Sequence, residues 1–483
     1  MAQKTAVVVG GGITGLTAAY YLQKTAREEG RQIRIAIVEK EAAFGGKVAT
    51  LRRDGFVIER GPDSFLARKW PIIELARELG LEEELVPTNP AAKKTFILHR
   101  GRLHRMPEGL SLGIPTQWAP FLKTGLLSPA GKLRAAMDWF LPARKTEEDE
   151  SLGHFLERRL GTEVLERMAE PLLAGIHAGD VRRLSVLATF PQFRELERRY
   201  GSLIRGMMAT AAAGRAAARN GTNAPPAALP ERVRGSVFLS FRNGLFTLIE
   251  ALVEQLRDAE FLLGDRVESI RPAESSGGHR YELRTSGGRR LEADAVVLAV
   301  PAFALADLFP ELDAVRAFGQ MPYASVANVV LAFRSTDVEQ PEGSGFVVTR
   351  GERRMITACT WTSAKWGHTA PKDRVLLRCY VGRAGEESWT RLSEDQLVEG
   401  VLRDVRETTG ISAEPVLVDI NRHYRAMPQY VVGHLQSAAA AREQLARAYP
   451  GVLAAGSAFH GVGLPDCIRQ GKEAAAEAGA WLR

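Results

Sequence analysis

Within its first forty residues the chain runs strand, glycine-rich turn, helix, strand and acid, and that order restricts the fold more than any other feature. Thr5–Val9 (TAVVV) is short and β-branched, as a buried parallel strand is. Gly10-Gly11-Gly12-Ile13-Thr14-Gly15 follows as G-x-G-x-x-G. Leu16–Glu28 then has helical periodicity, Gly30 ends it, and Ile33–Val38 forms a second strand closing on Glu39. In this arrangement Gly10 makes the tight turn, Gly12 admits a pyrophosphate to the backbone and Gly15 lets the helix pack on the strand. The N–H groups and dipole of the helix N-terminus attract phosphate. Glu39 accepts ribose hydroxyls, and an acid there argues against a 2′-phosphate. A βαβ dinucleotide site is expected.

Three more glycine segments extend this site. Glu39-Lys40-Glu41-Ala42-Ala43-Phe44-Gly45-Gly46-Lys47 follows the ribose acid, and Phe56-Val57-Ile58-Glu59-Arg60-Gly61-Pro62-Asp63-Ser64 reads as a strand ending in a turn. Near the other end, Val452–Gly456 reads as a strand entering a turn, Gly461–Cys467 follows, and a helix is expected from about Ile468 to Leu482. The set resembles the amine oxidase-like superfamily of FAD enzymes. That resemblance implies FAD as cofactor, with contacts from Gly10 to Gly15, Glu39, Lys40, Gly46, Lys47, Gly61, Pro62, Asp63, Ser64, Gly456, Val462, Gly463 and Leu464. It also implies that the backbone at Val267 meets the adenine.

At 483 residues more than one domain is expected. The fold class is read as α/β: a discontinuous Rossmann-type FAD-binding domain over 1–67, 237–300 and 440–483, built from further strands at Gly264–Ile270, Tyr281–Thr285 and Ala293–Val300. The first of these follows an amphipathic helix opened by Asn243-Gly244-Leu245. A mixed α+β substrate domain takes 68–100 and 301–439, with strands at Ala327–Phe333, Gly345–Thr349, Arg354–Cys359 and Val375–Val381 and a helix at Glu394–Thr408. Residues 101–236 read as a mostly helical, arginine-rich insert. Its segment 214–234, with Pro225, Pro226 and Pro230, reads as a flexible loop.

Segments from end to end are more specific still. Glu59-Arg60-Gly61-Pro62-Asp63-Ser64-Phe65, Glu170-Pro171-Leu172-Leu173-Ala174-Gly175-Ile176, Gly179-Asp180, Phe241-Arg242-Asn243-Gly244-Leu245, Ala358-Cys359-Thr360-Trp361-Thr362, Met427-Pro428-Gln429-Tyr430 and Gly461–Asp466 resemble the protoporphyrinogen/coproporphyrinogen III oxidase family, in particular its soluble Gram-positive type. The family commonly has Trp where this chain has His423, so His423 is expected to take over a cofactor contact. The resemblance implies six-electron oxidation of a porphyrinogen to a porphyrin within heme biosynthesis. Three hydride transfers to FAD would be balanced by three O₂ reduced to H₂O₂, with handover of product to a downstream chelatase. Arg68 and Lys69 are expected to form one propionate anchor, and coproporphyrinogen III, with four carboxylates, is preferred to protoporphyrinogen IX. The resemblance names no catalytic side chain, since flavin-centred hydride transfer needs chiefly an apolar slot and fixed anchors. The same scaffold leaves an amine oxidase or polyene desaturase as alternatives, and a non-catalytic tetrapyrrole carrier as another.

The net charge of +7 suits an acidic ligand or an anionic surface. No nucleic acid partner is expected. Membrane contact is expected to be peripheral at most, because no run reaches the ~18–20 apolar residues of a bilayer span. The longest candidate, Ala295–Leu308, is broken by Pro301 and Asp307. No cationic segment leading into an apolar one is seen at the N-terminus, and Cys359, Cys379 and Cys467 are far apart in sequence, so a reducing cytoplasm is expected. The nine histidines show no ligand spacing, and no metal is expected.

Overall fold

The computed structural model describes residues 3–219, 229–273 and 280–483. Its centre is a parallel sheet of β1 (Lys4–Val9), β2 (Ile33–Glu39), β3 (Glu260–Leu263), β4 (Ala295–Leu298) and β5 (Val452–Ala454), in the order β3-β2-β1-β4-β5. The strands are apolar on both faces because both are covered. On one face pack α1 (Ile13–Glu28), α2 (Leu464–Trp481) and the helices Trp70–Glu78 and Phe246–Gln255. The other face carries a three-stranded antiparallel sheet and the helices Ala302–Leu308, Asp313–Gly319 and His434–Ala448. The strand order reverses at β1, so the crevice for a ligand lies at the carboxyl ends of β1 and β4.

A second, seven-stranded sheet stands over that crevice. Its order is Leu417–Pro428, Tyr323–Arg334, Arg374–Val381, Ile356–Trp361, Gly345–Val348, Thr95–His99 and Arg102–Arg105. Every pairing is antiparallel except that of Gly345–Val348 with Thr95–His99. Glu394–Thr409 buries Leu397, Val401 and Val405 against its far face, capped by a Ser393–Gln396 box and stopped by Gly410. The helices from Trp118–Lys123 to Leu203–Arg219 form a third core. There the fully buried Arg159 meets Asp138, whose other oxygen accepts from Ile204 N at 2.8 Å.

Several boundaries differ from the sequence expectations. Ala293–Val300 is not one strand: Arg290–Ala293 ends the small antiparallel sheet and β4 begins at Ala295. Asp294 between them accepts from Lys4 Nζ and Thr5 N, both at 2.9 Å, and so fixes the start of β1. The last helix begins at Leu464, four residues before Ile468, because Gly463 caps it and Pro465 fits its first turn. Gly214–Arg219 (GRAAAR) is helical rather than loop, as its alanines favour, while 220–228 of the expected flexible loop lie outside the described residues. Three elements cross the division drawn above. The hairpin Thr95–His99/Arg102–Arg105 spans 100/101, Trp70–Glu78 packs in the dinucleotide core, and His434–Ala448 runs through 440.

Candidate active site

The turn after β1 takes its shape from two glycines. Gly10 has φ +105°, and a Cβ there would lie 2.5 Å from Ala299 O. A Cβ on Gly15 would lie 1.9 Å from Gly10 O, so α1 sits directly against the turn. In front of Gly12 nothing stands within 4 Å. The first N–H groups of α1 have no side-chain cap and no acid in the first turn, which leaves a positive helix end open to phosphate. Glu39, buried at the end of β2, accepts from Gly11 N at 2.6 Å and from Glu41 N at 2.9 Å. Each carboxylate oxygen retains acceptor capacity for a hydroxyl. These features fit an extended dinucleotide.

From this cradle a cleft of about 2290 Å³ runs beneath the seven-stranded sheet. One ligand usually fills about 300–1,000 Å³, so this cleft has room for a dinucleotide and a second large molecule. The structure brings Gly12, Ile13, Thr14, Glu39, Lys40, Gly46, Lys47, Gly61, Pro62, Asp63, Ser64, His423, Gly456, Val462, Gly463 and Leu464 to its walls, together with Arg68 and Lys69. Gly10, Gly11 and Gly15 shape the turn without lining it. Val267 is buried in the strand Val267–Pro272 and does not line the cleft. Its neighbours Gly264 and Asp265 donate to Glu41 O and Glu39 O at 2.9 and 3.0 Å, which sets that strand beside Glu39.

The central groups are partnered. His423 Nε2 lies 2.7 Å from Arg60 O, and burial holds its imidazole below the usual pKa. Lys47 Nζ donates to Ala426 O, and burial lowers the pKa of its amine. Cys467, on the first turn of α2, is pushed up to about 11 by burial and stays a thiol. Ser64 Oγ donates to Asp63 Oδ1 at 2.7 Å. Burial would raise the Asp63 carboxyl, but Lys365 at 3.7 Å and Arg378 at 3.9 Å outweigh it and hold the pKa below the usual carboxylate range.

The far half of the cleft has a floor of Asn328, Thr360, Arg378 and Tyr380 from the large sheet, and an apolar wall of Leu172, Ile176 and Phe190 from the helical insert. His177 stands in that wall, buried, with Nδ1 unpartnered among the described residues, and burial lowers it to about 4. Sequence reasoning missed Arg378, an arginine inside the apolar run Arg374–Val381 (RVLLRCYV), and that interruption was the available signal. The lining holds thirteen Lys and Arg against four Asp and Glu among the described residues, a composition for a polyanionic ligand. Among the described residues no group of three metal-ligating side chains occurs, and no helix is long and apolar enough to cross a membrane.

Residues 13–478 match the family model of flavin-containing amine oxidoreductases. The chain belongs to that family. Its cofactor is FAD. Among curated relatives, coproporphyrinogen III oxidase of Bacillus subtilis is 44% identical over 481 residues, covering 99% of each chain. That of Staphylococcus aureus is 37% identical over 478 residues, covering 98% of each. A crystal structure from Exiguobacterium sp. 255-15, of a protein called a protoporphyrinogen oxidase, superposes with a TM-score of 0.86 at 38% identity and 99% coverage of both chains. Cyclohexylamine oxidase of Brevibacterium oxydans shares the fold at 18% identity and a TM-score of 0.66, with 99% coverage of both chains.

Proposed function

We propose that the protein oxidises coproporphyrinogen III to coproporphyrin III in three two-electron rounds, with three O₂ reduced to three H₂O₂. The observation that carries this reading is the cationic cleft, continuous from the dinucleotide cradle and large enough for a tetrapyrrole beside FAD. The names of the two curated relatives above support the substrate. When bound, FAD would supply the hydride acceptor and the route of the electrons to O₂. The chain's own residues bind and orient. Gly12 to Thr14 and the N-terminus of α1 hold the pyrophosphate, Glu39 the ribose, and Lys47, Gly61 to Ser64, His423 and Val462 to Leu464 the flavin end. Lys40, Gly46 and Gly456 complete the walls, and the segment before Val267 flanks the adenine. The apolar wall at Leu172, Ile176 and Phe190 keeps water from the macrocycle, and Arg68 holds a propionate. The three-part division of the chain follows these tasks, with the three crossing elements joining the parts. The working place is the cytoplasm, with porphyrinogen and O₂ as partners, at most peripheral membrane contact and a chelatase as the next recipient. Anaerobic mixing with coproporphyrinogen III tests this: the flavin absorbance bleaches in one two-electron step, coproporphyrin fluorescence appears only once O₂ is admitted, and an unbleached flavin refutes the reading.

A further inference from the structure

Of the thirteen cations lining the cleft, many are already spent within the protein. Lys69 pairs with Asp466 at 2.8 Å, Arg232 with Glu83 at 2.8 Å and Arg383 with Glu386 at 2.7 Å, while Lys365 and Arg378 share Asp63. Lys93 and Arg234 make no ion pair among the described residues; Arg234 Nε donates only to Leu229 O, at 2.9 Å. Both belong to one rim of the cleft, and hydrogen bonds lace that rim together. Ala67 N donates to Val237 O at 3.0 Å, and Thr88 N donates to Ser236 Oγ at 3.3 Å. Asn89 Nδ2 donates to Ala364 O at 2.9 Å, and Ala92 N to Asn89 O at 3.0 Å, which brings the turn carrying Lys93 onto the same rim. Between the cations the rim exposes Val237 by 63% and Phe238 by 39%, both lining the cleft. Lys365 Nζ lies 5.5 Å from the centre of the Phe238 ring.

An apolar plate flanked by unpaired cations matches the edge of a flat hydrophobic ring that bears carboxylates. The geometry points to Lys93 and Arg234 as a second carboxylate anchor, distinct from Arg68, that selects a four-carboxylate tetrapyrrole over a two-carboxylate one; this rests on the porphyrinogen reading above. Both carboxylates of protoporphyrinogen IX sit on one edge of the ring, the edge taken by Arg68; on this proposal Lys93 and Arg234 face an adjoining edge, which bears a carboxylate only in coproporphyrinogen III. Held at the rim, these charges act on binding and leave the reacting carbon untouched, and the discrimination falls on KM.

The test compares wild type with the flavin-loaded Lys93→Ala/Arg234→Ala variant on coproporphyrinogen III and protoporphyrinogen IX. Each charge-assisted contact at this exposed rim is worth about threefold in affinity, and the two together about tenfold. For the four-carboxylate substrate kcat/KM therefore falls about tenfold, through KM, and the Kd for coproporphyrin III, read from porphyrin fluorescence, rises by the same factor. The loss on the two-carboxylate substrate is about fivefold smaller. The charge-keeping Lys93→Arg/Arg234→Lys variant restores most of the binding, which a collapsed rim would not do. Equal losses on both substrates, or an unchanged Kd for coproporphyrin III, overturn the anchor. A wild-type protein that oxidises neither substrate overturns the porphyrinogen reading, and the anchor with it.

Discussion

Lys69 Nζ lies 2.8 Å from Asp466 Oδ1, so the charge expected from the sequence to hold a propionate is already matched by a carboxylate at the start of α2. Lys69 neutralises an acid where a polyanion must pass. The Lys69→Ala variant uncovers that acid, and KM for the porphyrinogen rises about threefold to tenfold. The Lys69→Ala/Asp466→Asn variant returns toward wild type. Steady-state kinetics decides it: a double variant as impaired as the single one makes Lys69 a direct substrate contact. Arg68→Ala, by contrast, has no such rescue, since Arg68 makes no ion pair among the described residues.

Gly15→Ala separates the shape of the turn from its chemistry. The added methyl meets Gly10 O at 1.9 Å and forces α1 away from the turn. Overpacking of this kind costs about 1–3 kcal/mol, and the displaced helix end loses phosphate. The purified variant is expected to retain less than about a tenth of the flavin, read from absorbance. Full flavin content contradicts this account of the cradle.

Asp63 and Lys365, partly buried, and Arg378, buried, form a group whose balance is testable in the flavin-free protein. Removing Arg378 leaves Asp63 with Lys365 alone, and Arg378→Leu costs about 1–3 kcal/mol in urea unfolding at pH 7. Because the Asp63 pKa is held low, its contribution to stability is present above the ordinary carboxylate range and lost as pH falls through the folded value. In Arg378→Leu that loss begins at higher pH. The Asp63→Asn/Arg378→Leu variant recovers more than half of the deficit.

His177 adds to the acid arm of the same pH curve. Burial lowers it to about 4 from the ordinary 6.5, so its contribution is complete above pH 6.5 and is lost as pH falls toward 4. The fall is worth roughly 3 kcal/mol. His177→Phe removes this segment of the acid transition in chemical denaturation. His368, also near 4 through burial, keeps part of the curve in both proteins.

The dinucleotide cradle was legible from sequence because its chemistry is local: glycines, a helix start and a terminal acid lie within forty residues. Strands with an apolar run, such as Ala327–Phe333, were legible for the same reason. Leu417–Pro428 was not, because LVDINRHYRAMP forms a half-exposed sheet edge with polar residues on both faces and no alternation to read. Arg102–Arg105 was hidden similarly: a short, charged edge strand becomes visible only through its partner Thr95–His99. For the site, the glycine segments were found and the cations were not sorted. Whether a lysine is free or paired depends on a residue hundreds of positions away, as Lys69 and Asp466 show.

The most direct measurement is aerobic turnover of coproporphyrinogen III and protoporphyrinogen IX, side by side, by the purified flavoprotein, with porphyrin fluorescence and H₂O₂ followed together. The account predicts a higher kcat/KM for coproporphyrinogen III and about three H₂O₂ for each porphyrin formed. No oxidation of either substrate by protein that still holds its flavin would contradict it.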